Sequence, residues 1–451
     1  MFRMSAIGAL CAALTFVACD DGDGPAGPGA LTGRADLSRY VAIGNTLTAG
    51  FQSAALGEAG QSCSYPLLLA QQVGAEGDFE QPLVSSPGIA APGSDVGRLE
   101  LVSLQPLVIE RAAPAGQPLN ADLPRPYDNL GVPGALGYEA LTAESRATSL
   151  SGNAFFDFVL RGFGTWEEQT ARRNATFVTV FLGSNEALGY ATRGGDPALA
   201  PGLPIPTASF GLVYDVFIGS LRRTTDQIVL LNVPDVTVIP FMTTIPPVVV
   251  DPATLQPVLG PGGQPIPLIG PDGPLALGDL VTLNALDLLL QGIGVPAAVG
   301  GSGQPLPNSV VLNASEQAVA AGAVQGYNTV IGQIAAKHGL AVVDINAVLA
   351  DIVANGFLAN GQLLTTDFIT GGLFSLDGIH PTCKGYGIIA NELIAVINAE
   401  FGASIPPVSI GDLPGVTGAA GAPLPDGLRT AEGRGYGLPV FRNFREIELP
   451  F

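Results

Sequence analysis

The stretch VAIGNTLTAGFQS, Val41–Ser53, decides the fold of this chain. A continuous apolar run is followed by a glycine and then by the start of a helical pattern, which predicts a buried strand, a sharp turn and a helix. A strand that ends in such a turn can present a nucleophile at its carboxyl end. The residue at that position is Thr46, although serine is the commoner hydroxyl nucleophile.

Strand and helix patterns alternate along the rest of the chain. Four further continuous apolar runs predict buried parallel strands, at 127–131, 175–183, 227–235 and 339–346. Helical patterns accompany them at 64–74, 134–145, 210–223, 314–339 and 384–401. This alternation predicts an α/β domain whose parallel sheet is covered by helices on both faces. In such sheets, ligands bind at the carboxyl ends of the strands.

Two Pro/Gly-rich segments interrupt the alternation. Residues 241–310 are too many for a plain loop, which predicts an inserted subdomain or a lid. Their strongly apolar piece, 279–296, fits either a lid helix that meets a greasy substrate or the core of the insertion itself. Residues 402–451 form an irregular C-terminal extension that either wraps the domain or hangs free.

Length and charge bound the kinds of protein that this chain can be. Its 451 residues suffice for one large α/β domain or two small ones, and 47% of them are apolar. The 39 acidic residues outnumber the 19 basic ones, for a formal net charge of −20. Such a chain repels phosphate backbones and carries no basic stripe, so we expect no nucleic-acid binding.

The N-terminus indicates export from the cytoplasm. Arg3 precedes an apolar run at 7–18, and Cys19 follows that run directly. This is the build of a secretory signal, and the cysteine resembles the lipidation site of a bacterial lipobox. We therefore expect a signal peptide at 1–19 and a lipid on Cys19 that anchors the protein in the cell envelope, on the outer membrane or the periplasmic face. The alternative is an ordinary cleaved signal with an incidental cysteine.

The domain boundaries follow from composition. Residues 20–35 are rich in Gly, Pro, Asp and Ala and have no period, which predicts a flexible tether. The folded domain is expected over 36–401, and the insertion at 241–310 lies within it.

Hydrolysis by a hydroxyl nucleophile needs a histidine base, a carboxylate that orients it, and donors for the oxyanion. The chain has two histidines. His338 lies at the end of a helical pattern, where it fits a cap or a surface residue. His380 lies three residues after Asp377 in SLDGIHPTCKGY, on a loop just ahead of a helix. At this spacing the acid can fix the histidine tautomer and leave the other ring nitrogen free to accept a proton.

These pieces together resemble the SGNH, or GDSL, hydrolase superfamily. GNTL at Gly44–Leu47 matches the first block, NLGVPG carries Gly131, FLGSNE carries Asn185, and DGIH carries Asp377 and His380. The likeness is closer to lipid-anchored bacterial relatives, because YVAIGNTLTAG, GSNEALGYA, NVPDVT and DGIHPT occur here in the order found in those proteins. The resemblance spans about residues 38–400, with gaps at the insertion.

The resemblance implies a flavodoxin-like three-layer α/β/α fold and a catalytic set of Thr46, Asp377 and His380. It implies oxyanion donors from the backbone N–H groups of Thr46 and Gly131 and from the Asn185 side chain. It also brings the loops of two cysteines to one rim of the fold, which implies a disulfide between Cys63 and Cys383.

Three residues depart from the superfamily pattern. Asn45 replaces an aspartate, as it does in the lipid-anchored relatives, and Glu186 replaces the aspartate that follows the oxyanion asparagine. Thr46 replaces serine, and its extra methyl group restricts χ1 and crowds a tight turn.

Two functions remain open. The first is hydrolysis of carboxylic esters of lipids, acylated glycans or small molecules, without a metal or cofactor. The second is a non-catalytic envelope lipoprotein that binds or scaffolds with the same fold. The retained acid, base and oxyanion residues favour the first, and Thr46 favours the second.

Overall fold

The computed structural model describes residues 31–104, 107–251, 254, 256–416 and 440–442. The signal peptide and the lipidation site predicted at Cys19 lie outside the described residues.

The strands of the described residues are β1 Tyr40–Gly44, β2 Leu99–Leu104, β3 Leu107–Arg111, β4 Asn129–Gly131, β5 Phe177–Phe181, β6 Ile228–Leu231, β7 Ile269–Gly270, β8 Gly273–Pro274, β9 Leu280–Val281, β10 Val311–Leu312, β11 Ala341–Val343, β12 Phe357–Ala359, β13 Gln362–Leu364 and β14 Val440–Arg442. The α-helices are α1 Thr46–Ala49, α2 Glu58–Gln61, α3 Tyr65–Gln72, α4 Phe155–Leu160, α5 Trp166–Arg172, α6 Ser184–Ala191, α7 Thr207–Leu221, α8 Pro240–Thr243, α9 Leu286–Leu290, α10 Ala314–His338, α11 Ile345–Asn355 and α12 Cys383–Phe401.

A five-stranded sheet in the order β11-β6-β5-β1-β4 forms the centre of the domain, and every neighbouring pair is parallel. All five strands were predicted from continuous apolar runs. Such runs arise because both faces of a parallel sheet are covered, so neither face needs polar residues. β1 is buried at every position and lies between β5 and the edge strand β4, so its carboxyl end has a strand on each side.

Helices cover both faces of the sheet. On one face, Ala42, Phe181 and Leu231 of the sheet pack with residues of α3 and α12. On the other face, Ile43 and Val180 pack with residues of α6, α7 and α10. Alternate residues of each strand therefore enter two separate cores, and the predicted α/β/α fold is confirmed.

The predicted helix at 134–145 is wrong. The structure has only a short 3-10 turn there, Gly137–Glu139. The chain turns instead at Gly134, whose φ of 77° lies in the left-handed region that glycine tolerates. The Glu139 carboxylate then accepts the Leu136 N–H at 3.0 Å, which replaces a helical bond with a side-chain bond.

The insertion at 241–310 is built from short hairpins rather than from one long helix. The apolar piece 279–296 contains β9 and the five-residue helix α9, so only part of it is helical. Leu283 and Leu286 are buried in the main core, and the Phe241 N–H donates to the Gly378 carbonyl at 2.9 Å. The described part of the insertion thus packs against the loop that lies between Asp377 and His380.

The ends of the described chain pack on the last helix. The Arg34 N–H donates to the Phe401 carbonyl at 2.9 Å, and Ala35 is buried, so the packed region begins a few residues before the predicted boundary at 36. After α12, the side chains of Asn391 and Asn398 bond to the backbone of residues 405 and 408. The start of the C-terminal extension therefore wraps the domain.

The sequence pattern did not predict the hairpin β2–β3. Its strand β3 pairs in parallel with β14 from the C-terminal extension.

Among the described helices, none combines the length and the apolar character that crossing a membrane requires.

Candidate active site

The turn after β1 presents Thr46 as the first residue of α1. Asn45 caps this helix, because its Oδ1 accepts the Leu47 N–H at 3.2 Å. The Asn45 amide also donates to the Ser184 hydroxyl at 2.7 Å, which fixes the turn to the start of α6. A side chain at Gly44 would collide with the Thr48 hydroxyl, so the turn needs glycine there. Strand, cap and glycine together fix the backbone of Thr46.

The Thr46 side chain is 2% exposed and faces a cavity that His380 also lines. Among the described residues, no hydrogen bond engages its hydroxyl, and none joins it to His380. Catalytic hydrogen bonds are often loose without substrate and tighten when it binds. The hydroxyl is therefore free to meet a ligand in the cavity.

Asp377 and His380 form a buried pair. The His380 Nδ1 lies 2.8 Å from the Asp377 Oδ2, and both side chains are almost fully buried. The other carboxylate oxygen, Oδ1, accepts the backbone N–H groups of Ile379 and His380, each at 2.9 Å. These local bonds explain the three-residue spacing of Asp377 and His380. They hold the loop in a tight turn, which brings the His380 ring against the Asp377 carboxylate.

A second turn approaches Asp377 from far along the chain. The Ala54 N–H donates to Asp377 Oδ2 at 2.7 Å, and the Ser375 hydroxyl donates to Oδ1 at 3.1 Å. Ser53 and Ala54 have φ values of 51° and 56°, a conformation that costs free energy for residues other than glycine. Arg111 stabilises this turn, because its guanidinium donates to the Ala54 carbonyl at 2.7 Å. The strained turn thus supplies a donor to the Asp377 carboxylate.

These contacts explain the charge of Asp377. Burial acts to raise the pKa of the Asp377 carboxyl, but the adjacent His380 and the hydrogen bonds from the loop outweigh it and hold that pKa below its ordinary value. The acid is therefore ionised at neutral pH and orders the His380 ring with Nδ1–H towards it. Nε2 is left as the proton acceptor.

Packing and a disulfide hold the histidine loop in place. The Phe51 ring lies 4.9 Å from the His380 ring, and the Tyr386 hydroxyl donates to the Phe51 carbonyl at 2.6 Å. Cys63 and Cys383 form a disulfide with their Cα atoms 5.3 Å apart, the pairing predicted above. Because Cys383 is the first residue of α12, the bond ties the helix that follows His380 to the segment between α2 and α3.

Asn185 lines the cavity from the start of α6. Its amide donates one hydrogen bond to the Ala135 carbonyl at 2.9 Å, which leaves the second amide hydrogen available. The side chain is fully buried and carries no charge. It can therefore donate to an oxyanion that forms at Thr46.

Gly131 does not fit the role of oxyanion donor that the resemblance implied. Its N–H donates to the Asn129 side chain at 3.0 Å inside β4. A side chain at this position would collide with the backbone of Ala49, so the glycine is needed for close packing of β4 against α1. The bond to Asn129 occupies the N–H that the oxyanion would need.

Gly134 is the better candidate, and sequence reasoning missed it. It lies three residues after β4, in the left-handed conformation, next to the Ala135 carbonyl that binds Asn185. The signal was present as the second glycine of NLGVPG, but the sequence alone does not reveal which of the two N–H groups is already bonded.

Glu186 lies next to Asn185 and is fully buried. Its Oε1 accepts the Tyr138 N–H at 3.1 Å, while its Oε2 has no partner among the described residues. Burial raises the pKa of Glu186 to about 7, although backbone hydrogen bonds from its surroundings act to lower it. Glu186 therefore holds the loop that follows Gly134 through its bond to Tyr138.

The other ionisable groups add no second site. His338 lies at the end of α10 with its Nε2 3.0 Å from the Asp215 carboxylate, as expected for a surface residue at a helix end. Within the described ranges, no three His, Cys, Asp or Glu side chains are grouped so that they could hold a metal ion.

Comparisons with known proteins found similar solved structures but no matching family model or curated protein. Similar solved structures include a lipase/acylhydrolase from Enterococcus faecalis, with 11% identity over 80% of this chain and 96% of that chain and a TM-score of 0.33. An acetylxylan esterase from Geobacillus stearothermophilus has 11% identity over 80% and 94%, with a TM-score of 0.35. An extracellular lipase from Streptomyces rimosus has 16% identity over 80% and 98%, with a TM-score of 0.30.

These structures are lipases and esterases. At such identities and TM-scores, the similarity assigns neither an activity nor a role to any residue of this chain. The roles of individual residues rest on the geometry of the site itself.

Proposed function

We propose that this protein is a carboxylic-ester hydrolase of the SGNH type, with Thr46 as nucleophile, His380 as base and Asp377 as the acid that orients it. The supporting observation is that one cavity is lined by Thr46, Asn185 and His380, with His380 held by an ionised, buried carboxylate. A nucleophile, a base and an oxyanion donor therefore surround the same space.

The reaction proceeds in two steps. His380 Nε2 accepts the hydroxyl proton of Thr46 while the oxygen attacks the ester carbonyl carbon, and the alcohol leaves with the proton that His380 returns. Water then attacks the acyl-threonine with His380 again as base, which releases the carboxylic acid and restores Thr46. Asp377 stabilises the imidazolium that forms in each step.

We expect three donors for the negative oxygen of each tetrahedral intermediate. The N–H of Thr46 is the first of its helix and has no intrahelical acceptor. The Asn185 amide supplies the second donor, and the Gly134 N–H the third. In such sites, the loss of one donor costs about 10²- to 10³-fold in turnover.

The threonine lowers the rate without abolishing the reaction. Its hydroxyl is activated by the same base, and the donors do not depend on the methyl group. A rotamer strain of about 0.5–1.5 kcal/mol corresponds to a rate loss of roughly two- to tenfold. We therefore expect a working but slow nucleophile.

A panel of p-nitrophenyl esters tests the proposal on purified protein that lacks residues 1–19. Thr46→Ser should keep or raise hydrolysis, while Thr46→Ala and His380→Ala should each remove nearly all of it. Thr48→Ala, which changes a buried threonine two residues away, is the matched control for damage to α1.

The same panel separates the alternative function. If wild type is inert on every ester while Thr46→Ser turns over, the threonine has switched off an intact site and a binding or scaffold role is favoured. If Thr46→Ala keeps wild-type activity, the nucleophile lies elsewhere and the assignment fails.

The site of action follows from the N-terminal sequence. A lipid on Cys19, joined through the Gly/Pro-rich stretch, would hold the enzyme on a membrane of the cell envelope, near ester-linked lipids and acylated glycans. Cys19→Ala should move the protein from the membrane fraction to the soluble fraction. Continued membrane association of that variant contradicts the anchor.

A further inference from the structure

The cavity beside Thr46 has an apolar wall that catalysis does not require. Thr46, Asn185 and His380 line it together with two further polar residues, Ser184 and Asp235. The rest of the lining is largely apolar, and one face of α11 and the start of α12 contribute a continuous part of it. The residues concerned are Ile345, Val348, Leu349, Ile352, Ile388 and Ile389.

The spacing on α11 shows how this wall arises. Ile345, Val348, Leu349 and Ile352 follow the i, i+3, i+4, i+7 pattern, so they share one helix face. Ile345 and Ile352 are buried, whereas Val348 and Leu349 are half-buried although they belong to the same stripe. A stripe that only packed the core would not need two partly exposed members at a cavity.

The charges around the cavity indicate what it excludes. Besides His380, the titratable group on the wall is Asp235, whose carboxylate accepts the Thr237 N–H at 2.8 Å. A carboxylate repels anionic groups, and the α11 stripe has no donors for sugar hydroxyls. The wall therefore fits an uncharged hydrocarbon chain.

We propose that this wall is the acyl-chain site, so that the enzyme prefers esters of unbranched alkanoic acids over acetate. The inference rests on the proposed function, because the cavity starts at Thr46, the residue that carries the acyl group after the first step. The chain stays attached there during both steps, and contacts with the wall stabilise it throughout.

The size of the cavity sets a limit on the chain. The volume is about 110 Å³. An apolar cavity of about 150 Å³ holds benzene, with six carbons, so this one holds about four carbons beyond the carbonyl. Each buried methylene should raise kcat/KM by up to about fourfold. We therefore expect kcat/KM to rise by at least tenfold from acetate to pentanoate and to level off at hexanoate, whose last carbon exceeds the volume of the cavity.

Substitutions on α11 test the location of the chain. Val348→Phe, which fills the cavity, should lower the ratio of hexanoate to acetate turnover by at least tenfold, and Leu349→Ala should move the optimum to longer acids. Val353→Phe is the matched control, because Val353 lies on the same helix and is 45% exposed. It should leave the ratio within about twofold of wild type.

A second series separates the acyl side from the alcohol side. Alkyl acetates with growing alcohol chains should show no comparable gain with length. If they gain and the p-nitrophenyl alkanoates do not, the wall holds the alcohol and the proposal is overturned. An unchanged hexanoate to acetate ratio in Val348→Phe overturns it as well.

Binding of 1-hexanol to Thr46→Ala, followed by calorimetry, separates failure of the site from failure of the function. Suppose that wild type hydrolyses the acetate ester, but neither the hexanoate to acetate ratio nor hexanol binding depends on Val348. The acyl site is then wrong, while the proposed hydrolase function is retained. If no ester is cleaved and hexanol still binds in a Val348-dependent manner, the hydrolase is wrong while the apolar site stands. If no ester is cleaved and hexanol does not bind, both the hydrolase function and the acyl site are contradicted.

Discussion

Two fully buried carboxyl groups, those of Asp377 and Glu186, behave in opposite ways. Asp377 accepts hydrogen bonds on both oxygens and faces His380, and its pKa lies below the ordinary value although burial acts to raise it. Glu186 has one oxygen without a partner among the described residues, and burial raises its pKa to about 7. Burial alone therefore does not decide the charge of a carboxyl group. The number of hydrogen-bond donors and the adjacent His380 ring decide it.

The difference assigns separate roles to the two sides of the site. The Asp377 side keeps a permanent charge that orders the base. The Glu186 side holds the loop of Gly134 through a group that titrates near neutral pH. Each variant below removes one element of this contrast.

Asp377→Asn should have the largest effect. The amide would turn a donor group towards the N–H of Ala54 or of Ile379, and it would hold His380 in the wrong tautomer. We expect kcat to fall by about 10³- to 10⁴-fold. Steady-state kinetics with p-nitrophenyl butyrate measure it, with the exposed Asp367→Asn as control. A loss of less than tenfold would show that the charge of Asp377 is not needed.

Removal of the disulfide should lower stability by about 2–5 kcal/mol. Cys63→Ala with Cys383→Ala frees a loop of 320 residues and releases the start of α12 beside His380. Urea unfolding of the double variant, compared with wild type under oxidising and reducing conditions, measures the change. The reduced wild type should match the double variant. An unchanged unfolding midpoint would show that the Asp377 side is held by its hydrogen bonds alone.

Glu186→Gln should flatten the pH dependence of stability. The pKa of Glu186 is raised from 4.5 to about 7, so the folded state binds a proton that the unfolded state has lost. Its contribution is complete below about pH 4.5 and is lost as pH rises through 7, by about 3 kcal/mol in all. The difference in unfolding free energy between variant and wild type should therefore change with pH. Between pH 4.5 and pH 8, wild type should lose more stability than the variant. Urea unfolding across this range, with the exposed Glu58→Gln as control, measures it. A constant difference contradicts the raised pKa.

Ser375→Ala should have the smallest effect. It removes one donor to Asp377 and leaves the Ser53 N–H without its acceptor, which lies at 2.9 Å. We expect a loss of about 1 kcal/mol in stability and roughly fivefold in kcat, because the other donors to Asp377 remain. Ser375→Thr, which keeps the hydroxyl, should recover most of the activity. Equal loss in both variants would indicate a packing defect.

The sequence predicted the parts of this site that depend on local patterns. The five strands follow from apolar runs, and Thr46 and the Asp377–His380 pair follow from a turn and a three-residue spacing. The helix expected at 134–145 failed because a glycine turn and the Glu139 side chain replaced helical bonds.

Long-range contacts could not be predicted in this way. The Ala54 N–H reaches Asp377 across 323 residues, from a turn whose conformation no residue type reveals. The choice between Gly131 and Gly134 depends on which N–H is already bonded inside β4, a fact of packing rather than of sequence.

The most direct test is to identify the residue that a covalent inhibitor of ester hydrolases modifies. The protein is treated with an alkyl fluorophosphonate, which modifies activated hydroxyl nucleophiles, and then digested and mapped by mass spectrometry. We predict a single adduct on residue 46 in wild type and in Thr46→Ser, and none in Thr46→Ala or His380→Ala. An adduct on another residue, or ester turnover in Thr46→Ala at the wild-type rate, would contradict this prediction.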